Sequence, residues 1–261
     1  MKLIVQRLGA WGIGKMLFWR DLSLVASATA LSLPRLFAPG NRSSRKVLLK
    51  QIYFTGFESL KIILPTSLFL GTAIIAQVIG LLGSTNISMI GKILIWTVLR
   101  ELGPLLTAVI IVARSGAAVT AELGAMNVNR EVLALETVGI DINEYLLLPR
   151  VLAFAFSAMF LTVYFELGAV LGGFLIANAF WNIPYEMFSQ GIYAALDFRE
   201  VLVSLLKGFV FGAVMSLICV QQGMSVGESS TMVPRAASRG VIASLFAIFM
   251  TNGIISLLAF Y

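Results

Sequence analysis

Five long apolar runs, separated by shorter polar stretches, dominate the chain: Ile62 to Leu82, Ile93 to Ala113, Val151 to about Ala179, Val201 to Val220 and Gly240 to Phe260. Each is close to the ~20 residues that an α-helix needs to cross a hydrocarbon core. The pattern predicts an all-α integral membrane protein with five transmembrane helices. Pro149 and Arg150 stand just ahead of the third run, where proline suits a first helical turn. Between the second and third runs, Arg114 to Arg150 is too polar to remain in lipid, yet its alanines, leucines and spaced glutamates favour helix. It reads as a helical cytoplasmic loop, with a short helix over Asn129 to Val138 ended by Gly139 as its C-terminal cap. Gln221 to Arg239 reads as a second polar loop, and the stretch with Trp181, Pro184, Asp197, Arg199 and Glu200 as an outer one.

Residues 1–50 differ from the rest. Nine lysines and arginines, from Lys2 to Lys50, are interleaved with Trp11, Phe18, Trp19 and Phe37, which suits a helix lying in the headgroup layer. The apolar part, Leu22 to Leu33, stops at Pro34 and is too short to span. A secretory signal is the competing reading of this basic start and the small residues of ASATA. The Arg/Lys cluster after Pro34 argues against translocation. The expected organisation is therefore an interfacial amphipathic segment over 1–50 and a five-helix membrane domain over 51–261.

Composition narrows the function. With 59% hydrophobic and 12% charged residues and a mean hydropathy of +0.93, the chain carries more apolar surface than a water-soluble domain could bury. Fifteen of nineteen lysines and arginines fall on one side if the N-terminus is inside, against two, Lys92 and Arg199, on the other. This positive-inside bias puts the central loop in the cytoplasm and the C-terminus outside. It also explains the net charge of +6 better than a nucleic-acid partner would, since no aromatic or glycine-rich RNA motif accompanies the basic residues. The absence of histidine removes His-based catalysis and the commonest metal ligand, and the lone Cys219 cannot form an intrachain disulfide. No phosphate-binding GxxxxGK[ST] loop occurs, so this chain holds neither ATP nor magnesium by itself, and any hydrolysis belongs to another subunit. The chain does not read as an enzyme.

Four charges lie inside the apolar runs: Arg100, Glu101, Glu166 and Lys207. Each costs roughly 3 kcal/mol or more at the bilayer centre, which marks them as candidates for function. Arg100 and Glu101 are adjacent and point about 100° apart on a helix, so each needs a partner elsewhere, and Arg100 with Glu166 or Glu101 with Lys207 are the available pairs. The pairs form a structural clamp or a polar patch that meets a lipid headgroup or a gating charge, Arg100 and Lys207 being suited to phosphate, and the two readings are compatible, since a pair can open when a ligand arrives. Gly168 with Gly172, and Gly208 with Gly212, carry the GxxxG spacing that lets helices approach closely, within the chain or across a dimer. The rival readings are an ion- or proton-coupled carrier relaying through Glu101 and Glu166, and a scaffold that transports nothing.

The block LRELGP at 99–104, Arg114, SGAAVTAELGAM at 115–126, Glu131, Glu136, Gly139, Asp141 and LPR at 148–150 resembles the signature of the MlaE/YrbE family, permease subunits of bacterial ABC systems that move phospholipids between membranes, with relatives in chloroplast envelopes. The resemblance runs from about Phe57 to Ser244. It implies a homodimer, a separate ATPase that binds ATP, an MCE-domain protein on the outer side, and a small regulatory subunit of STAS type. It further implies a cytoplasmic coupling helix within about 121–138, with Glu122, Arg130, Glu131 and Glu136 facing the ATPase. Arg100, Glu101, Lys207 and Glu166 would line a lipid cavity, and Asp197 and Arg199 would belong to the outer loop. A bacterial inner membrane is the expected location, because no Ser/Arg-rich transit peptide is visible. Three departures stand out: Ile142 follows Asp141 where the family has proline, GESSTMVPRAAS at 227–238 replaces a glycine-rich loop while keeping Arg235 and Arg239 nearby, and Asn252 stands where relatives often carry an acid.

Overall fold

A computed structural model describes residues 20, 23–29, 31–32, 42–82, 87–227 and 229–260. Most of the interfacial segment expected over 1–50 lies outside the described residues. What is described of it ends in α1, Arg42–Thr55, which leads through a turn at Phe57–Ser59 into α2, Leu60–Leu82. A single helix, α3, then runs over 87–128, followed by the short α4, Glu131–Thr137. The third long helix, α5, comprises Asn143–Leu147 and Leu148–Trp181. After α6, Tyr185–Ala195, come α7, Phe198–Met224, and α8, Met232–Phe260. Every element among the described residues is helical, and five helices are long and apolar enough to cross a membrane.

α5 is the axis of the bundle and the most buried of the five spans. Glycines let its neighbours reach it. A Cβ on Gly71 of α2 would come within 1.8 Å of the Ala169 carbonyl, and one on Gly172 would meet Leu68 Cα at 2.7 Å, so α2 and α5 touch backbone to backbone. On the other side, a Cβ on Gly212 of α7 would reach Phe154 O at 2.5 Å. Both GxxxG pairs therefore pack within the chain. α8 rests on α7 and the lower part of α3, and its outer face is the least covered of the five.

The elements depart from the sequence expectation in three places. Residues 114–128 are not loop but the continuation of α3, because Val119, Thr120, Leu123 and Gly124 are buried against α7 and α8. At about 1.5 Å per residue α3 is about twice as long as a hydrocarbon core is thick, so its last turns project beyond lipid and carry the polar residues. The polar connection shrinks to α4 and its flanks. Likewise 232–239 is helical, so the loop before the last span is confined to 225–231. And α6 occupies what reads as outer loop: Phe188 and Ile183 are buried against the start of α3, where Gly91 lets the two backbones approach.

α3 is interrupted by two π turns, Val98–Leu102 and Val112–Gly116, and a third, Asn143–Leu147, opens α5. In each, a backbone N–H reaches the carbonyl five residues back: Gly103 to Val98, Ala117 to Val112, Leu148 to Asn143. Such widened turns shift the phase of the side chains and free a carbonyl from the ladder. Charge sits at or beside all three, at Arg100 and Glu101, at Arg114, and at Arg150.

Candidate functional site

Two apolar clusters fill the bundle, one around Ile90, Leu94, Ala169 and Phe188, the other around Ile111, Leu123, Phe154 and Phe211. The intramembrane charges form a polar belt between them, built on the first π turn of α3. Glu101 is its hub. Its Oε1 accepts from Lys207 Nζ at 3.1 Å and from the Ser256 hydroxyl at 2.6 Å, and its Oε2 accepts from Asn252 Nδ2 at 2.6 Å. Lys207 is fully buried, and its ammonium also donates to the Arg100 carbonyl and to Ser256 Oγ at 2.7 Å. That carbonyl belongs to the π turn, so Lys207 holds the widened turn and the carboxylate together. The ion pair joins α3 to α7, with Glu101 the more exposed partner, and Asn252 and Ser256 bring in α8.

Arg100 takes a different partner from the expected Glu166. Its Nε donates to both carboxylate oxygens of Glu200 at 3.0 Å, its Nη2 also bonds Glu200, and the guanidinium lies 5.2 Å over the Trp96 ring. Glu200 sits in the first turn of α7, one residue after Arg199, whose guanidinium donates to the Ala259 carbonyl near the end of α8. Asp197 is exposed and immediately precedes α7. Glu166, buried in α5, accepts from the Ser204 hydroxyl and lies beside Gly103, where a Cβ would meet its Cγ at 2.9 Å. The structure thus brings Glu101 and Lys207 together as one of the two alternatives proposed from sequence, and separates Arg100 from Glu166.

A second charged joint forms at the next π turn. Arg114 donates to the Phe54 carbonyl at 2.8 Å and to Ser59 Oγ at 2.9 Å, pairs with Glu58, and lies 4.9 Å over the Phe54 ring. It fastens the end of α1 to α3. Glu58 reads from sequence as an interfacial charge ahead of the first span, and only its position one turn before a run that begins with Lys61 hints at more.

The projecting end of the bundle carries the remaining candidates. Arg150, almost fully buried, donates from Nη2 to Glu122 Oε1 at 2.9 Å and from Nη1 to the Leu146 carbonyl at 3.0 Å, so Glu122 is committed to joining α3 and α5. Asn127 Nδ2 donates to the carbonyls of Met224, at 3.2 Å, and Val226, tying the end of α3 to the turn after α7. Asn127 carries no charge, which is why the sequence does not flag it. Beyond it, Arg130 adopts φ +60°, and α4 follows with Glu131, Leu133, Glu136 and Val138 exposed. α4 ends at Gly139, φ +83°, whose N–H bonds Glu136 O while Ile140 N–H bonds Leu135 O, a Schellman cap that only a residue tolerant of the left-handed region fits easily. Asp141 Oδ1 accepts from the Asn143 N–H at 2.9 Å and shapes the entry to α5 without the family's proline.

The described residues thus form a multi-pass helical membrane bundle with an ionic belt inside it and a capped, exposed helix at one end. The chain belongs to the MlaE permease family: the model of that family, described as Permease MlaE, matches residues 48–258. A Rickettsia typhi protein named a probable ABC transporter permease is 30% identical over 215 residues, covering 82% of this chain and 83% of that protein. A Synechocystis sp. protein with the same description is 32% identical over 222 residues and 84% of each chain. The chloroplastic protein TRIGALACTOSYLDIACYLGLYCEROL 1 of Arabidopsis thaliana is 30% identical over 247 residues, 94% of this chain and 69% of that one.

Proposed function

We propose that this permease is the membrane subunit of an ABC system that moves phospholipids or related lipids between membranes, driven by a separate ATPase that binds ATP and magnesium. The lipid substrate is supported by the family and by a relative that carries the name of a galactolipid. The observation that carries the ATPase coupling is α4. It is a short, well-capped helix with Glu131, Leu133 and Glu136 exposed on it and Val138 exposed just after it, and the helices it connects are tied into the bundle, α3 to the turn after α7 by Asn127 and α3 to α5 by the Glu122–Arg150 pair. A push on such a helix reaches α3, α5 and α7 at once. The ATPase dimer would close on Glu131 and Glu136, the joints would carry the displacement into the spans, and the polar belt at Glu101 and Lys207 would be the part of the lipid path that responds. The working unit is a homodimer in a bacterial inner membrane, N-terminus cytoplasmic and C-terminus periplasmic, with an MCE-domain protein on the outer side and a small STAS-type regulator on the inner. Co-purification tests it: the wild-type chain should bring down an ATPase, and Glu131→Lys with Glu136→Lys should lose it while the permease stays folded. A charge-reversed chain that retains full ATPase binding and activity would overturn the coupling role of α4.

A further inference from the structure

At Glu101 and Asn252 the polar belt offers hydrogen-bond acceptors to whatever enters it, while the partly exposed guanidinium of Arg100 is held by Glu200. A carboxylate can only accept hydrogen bonds, so the amide of Asn252 has to present its Nδ2 to Glu101. Its Oδ1 then points away, and that atom is buried without a hydrogen-bond partner among the described residues. Leaving a carbonyl oxygen unpaired in an apolar setting costs roughly 1–3 kcal/mol, so the arrangement asks for a donor from outside. Glu101 adds a second opening. Its Oε1 takes two donors and its Oε2 only one, while its side chain is 41% exposed. The cation beside these acceptors is withdrawn: Lys207 is fully buried, and its ammonium donates to Arg100 O, Glu101 and Ser256. Gly253, next to Asn252, is exposed with nothing within 4 Å of where a Cβ would stand, so the helix surface is low beside the two acceptors.

Depth supports a lipid as the source of that donor. Lys207 lies nine residues into α7 and Asn252 eight residues before the end of α8, about 12–14 Å from those ends at 1.5 Å per residue. Both residues therefore lie well inside their spans, away from the helix ends.

Resting on the lipid-transport reading above, we infer that Glu101 and Asn252 Oδ1 form an acceptor pair that selects lipids whose headgroups donate hydrogen bonds, through a primary ammonium or hydroxyls, over headgroups that cannot donate. Phosphatidylethanolamine and phosphatidylglycerol qualify. Phosphatidylcholine, whose quaternary ammonium has no N–H, does not. The negative charge of Glu101 is balanced by Lys207, so the pair discriminates by donor count more than by net charge.

Native mass spectrometry of the full chain, released from nanodiscs holding equal parts of these three lipids with matched acyl chains, tests this. The wild type should retain the two donor lipids over phosphatidylcholine by about fivefold, the scale of one neutral hydrogen bond. Asn252→Leu, close in size and leaving Lys207 and Glu101 paired, should bring that ratio close to one, and Asn252→Gln, which keeps both the amide donor to Glu101 and the acceptor oxygen, should restore much of it. Glu101→Gln separates the two donors: loss confined to phosphatidylethanolamine shows that the carboxylate takes the ammonium, and equal loss of both donor lipids shows that it serves ammonium and hydroxyls alike, either of which supports the pair, whereas no loss of either removes Glu101 from it. If phosphatidylcholine is retained as well as the others by the wild type, headgroup selection is overturned while lipid binding stands. If no lipid is retained, the transport reading falls with it. If Asn252→Leu only disperses a homodimer and leaves the ratio unchanged, Oδ1 is satisfied by the partner copy and the inference is overturned.

Discussion

Arg114 has five donors to place, and the structure uses their fork. One nitrogen serves both the Phe54 carbonyl and Ser59, another meets Glu58, and the planar face lies on the Phe54 ring. Lysine is a point donor and cannot reproduce this arrangement. Arg114→Lys should therefore lower stability by about 2 kcal/mol through the lost charged hydrogen bonds, read as a lower thermal midpoint in detergent, and Glu58→Gln should cost less. An unchanged midpoint for Arg114→Lys would remove the joint from the account. The Glu101–Lys207 pair makes a sharper case. Removing only Lys207, by Lys207→Met, leaves a carboxylate without its counter-ion and should cost on the order of 3–5 kcal/mol, whereas Lys207→Met with Glu101→Gln should recover much of it. Simple additivity of the two changes would mean that the pair is not coupled. This pair was legible in the sequence because so few charges lie within the spans that the possible partners could be enumerated. Arg100 was not, since Glu200 stands at the edge of the fourth run and looks like an interfacial charge until the fold brings it to Arg100.

At the scale of elements, hydropathy identified the five spans and glycine spacing identified surfaces of close approach. Neither could show that both GxxxG pairs make the contacts of one helix, α5, one pair lying on α5 against α2 and the other on α7 against α5. That geometry makes a graded prediction. Gly172→Ala would place a Cβ at 2.3 Å from Leu68 O and 2.7 Å from Leu68 Cα, and backbone cannot swing aside as a side chain can, so α2 and α5 must separate. Gly80→Ala meets nothing within 4 Å and should gain slightly in helix propensity. The expected result is a marked loss of folded, monodisperse protein for Gly172→Ala and none for Gly80→Ala, by size-exclusion profile. Equal profiles would mean that the α2–α5 contact is looser than described. The three π turns and α6 escaped the sequence for a common reason: a π turn changes hydrogen bonding without changing composition, and α6 is an 11-residue helix with tyrosines, a glutamate and a glutamine among its apolar residues, short of any span length. The length of α3 escaped because its last turns are polar by composition but packed by position.

For the whole molecule, an odd number of spans places α1 and α4 on one side and α6 and the end of α8 on the other. Basic residues gather on the first of these sides: α1 carries Arg45, Lys46 and Lys50 exposed, and Arg130, Arg235 and Arg239 lie on the same side as α4. The positive-inside bias is the ground for proposing that this side is cytoplasmic, and the proposed meeting of α4 with an ATPase depends on that orientation. The chain is well suited to a direct check, because its single cysteine, Cys219, is fully buried and bonded to Ser244, so Cys219→Ala provides a background free of thiols at small cost. In that background, Arg199→Cys and Arg130→Cys place one exposed thiol at each end of the bundle. A membrane-impermeant maleimide added to intact spheroplasts should label Arg199→Cys at once, and Arg130→Cys only after the membrane is opened. The reverse pattern would put α4 on the side without ATP. No joint through Asn127 or Arg150 could then be driven by nucleotide, and the acceptor pair at Glu101 and Asn252 would have to be reconsidered as part of a carrier powered by a gradient across the membrane.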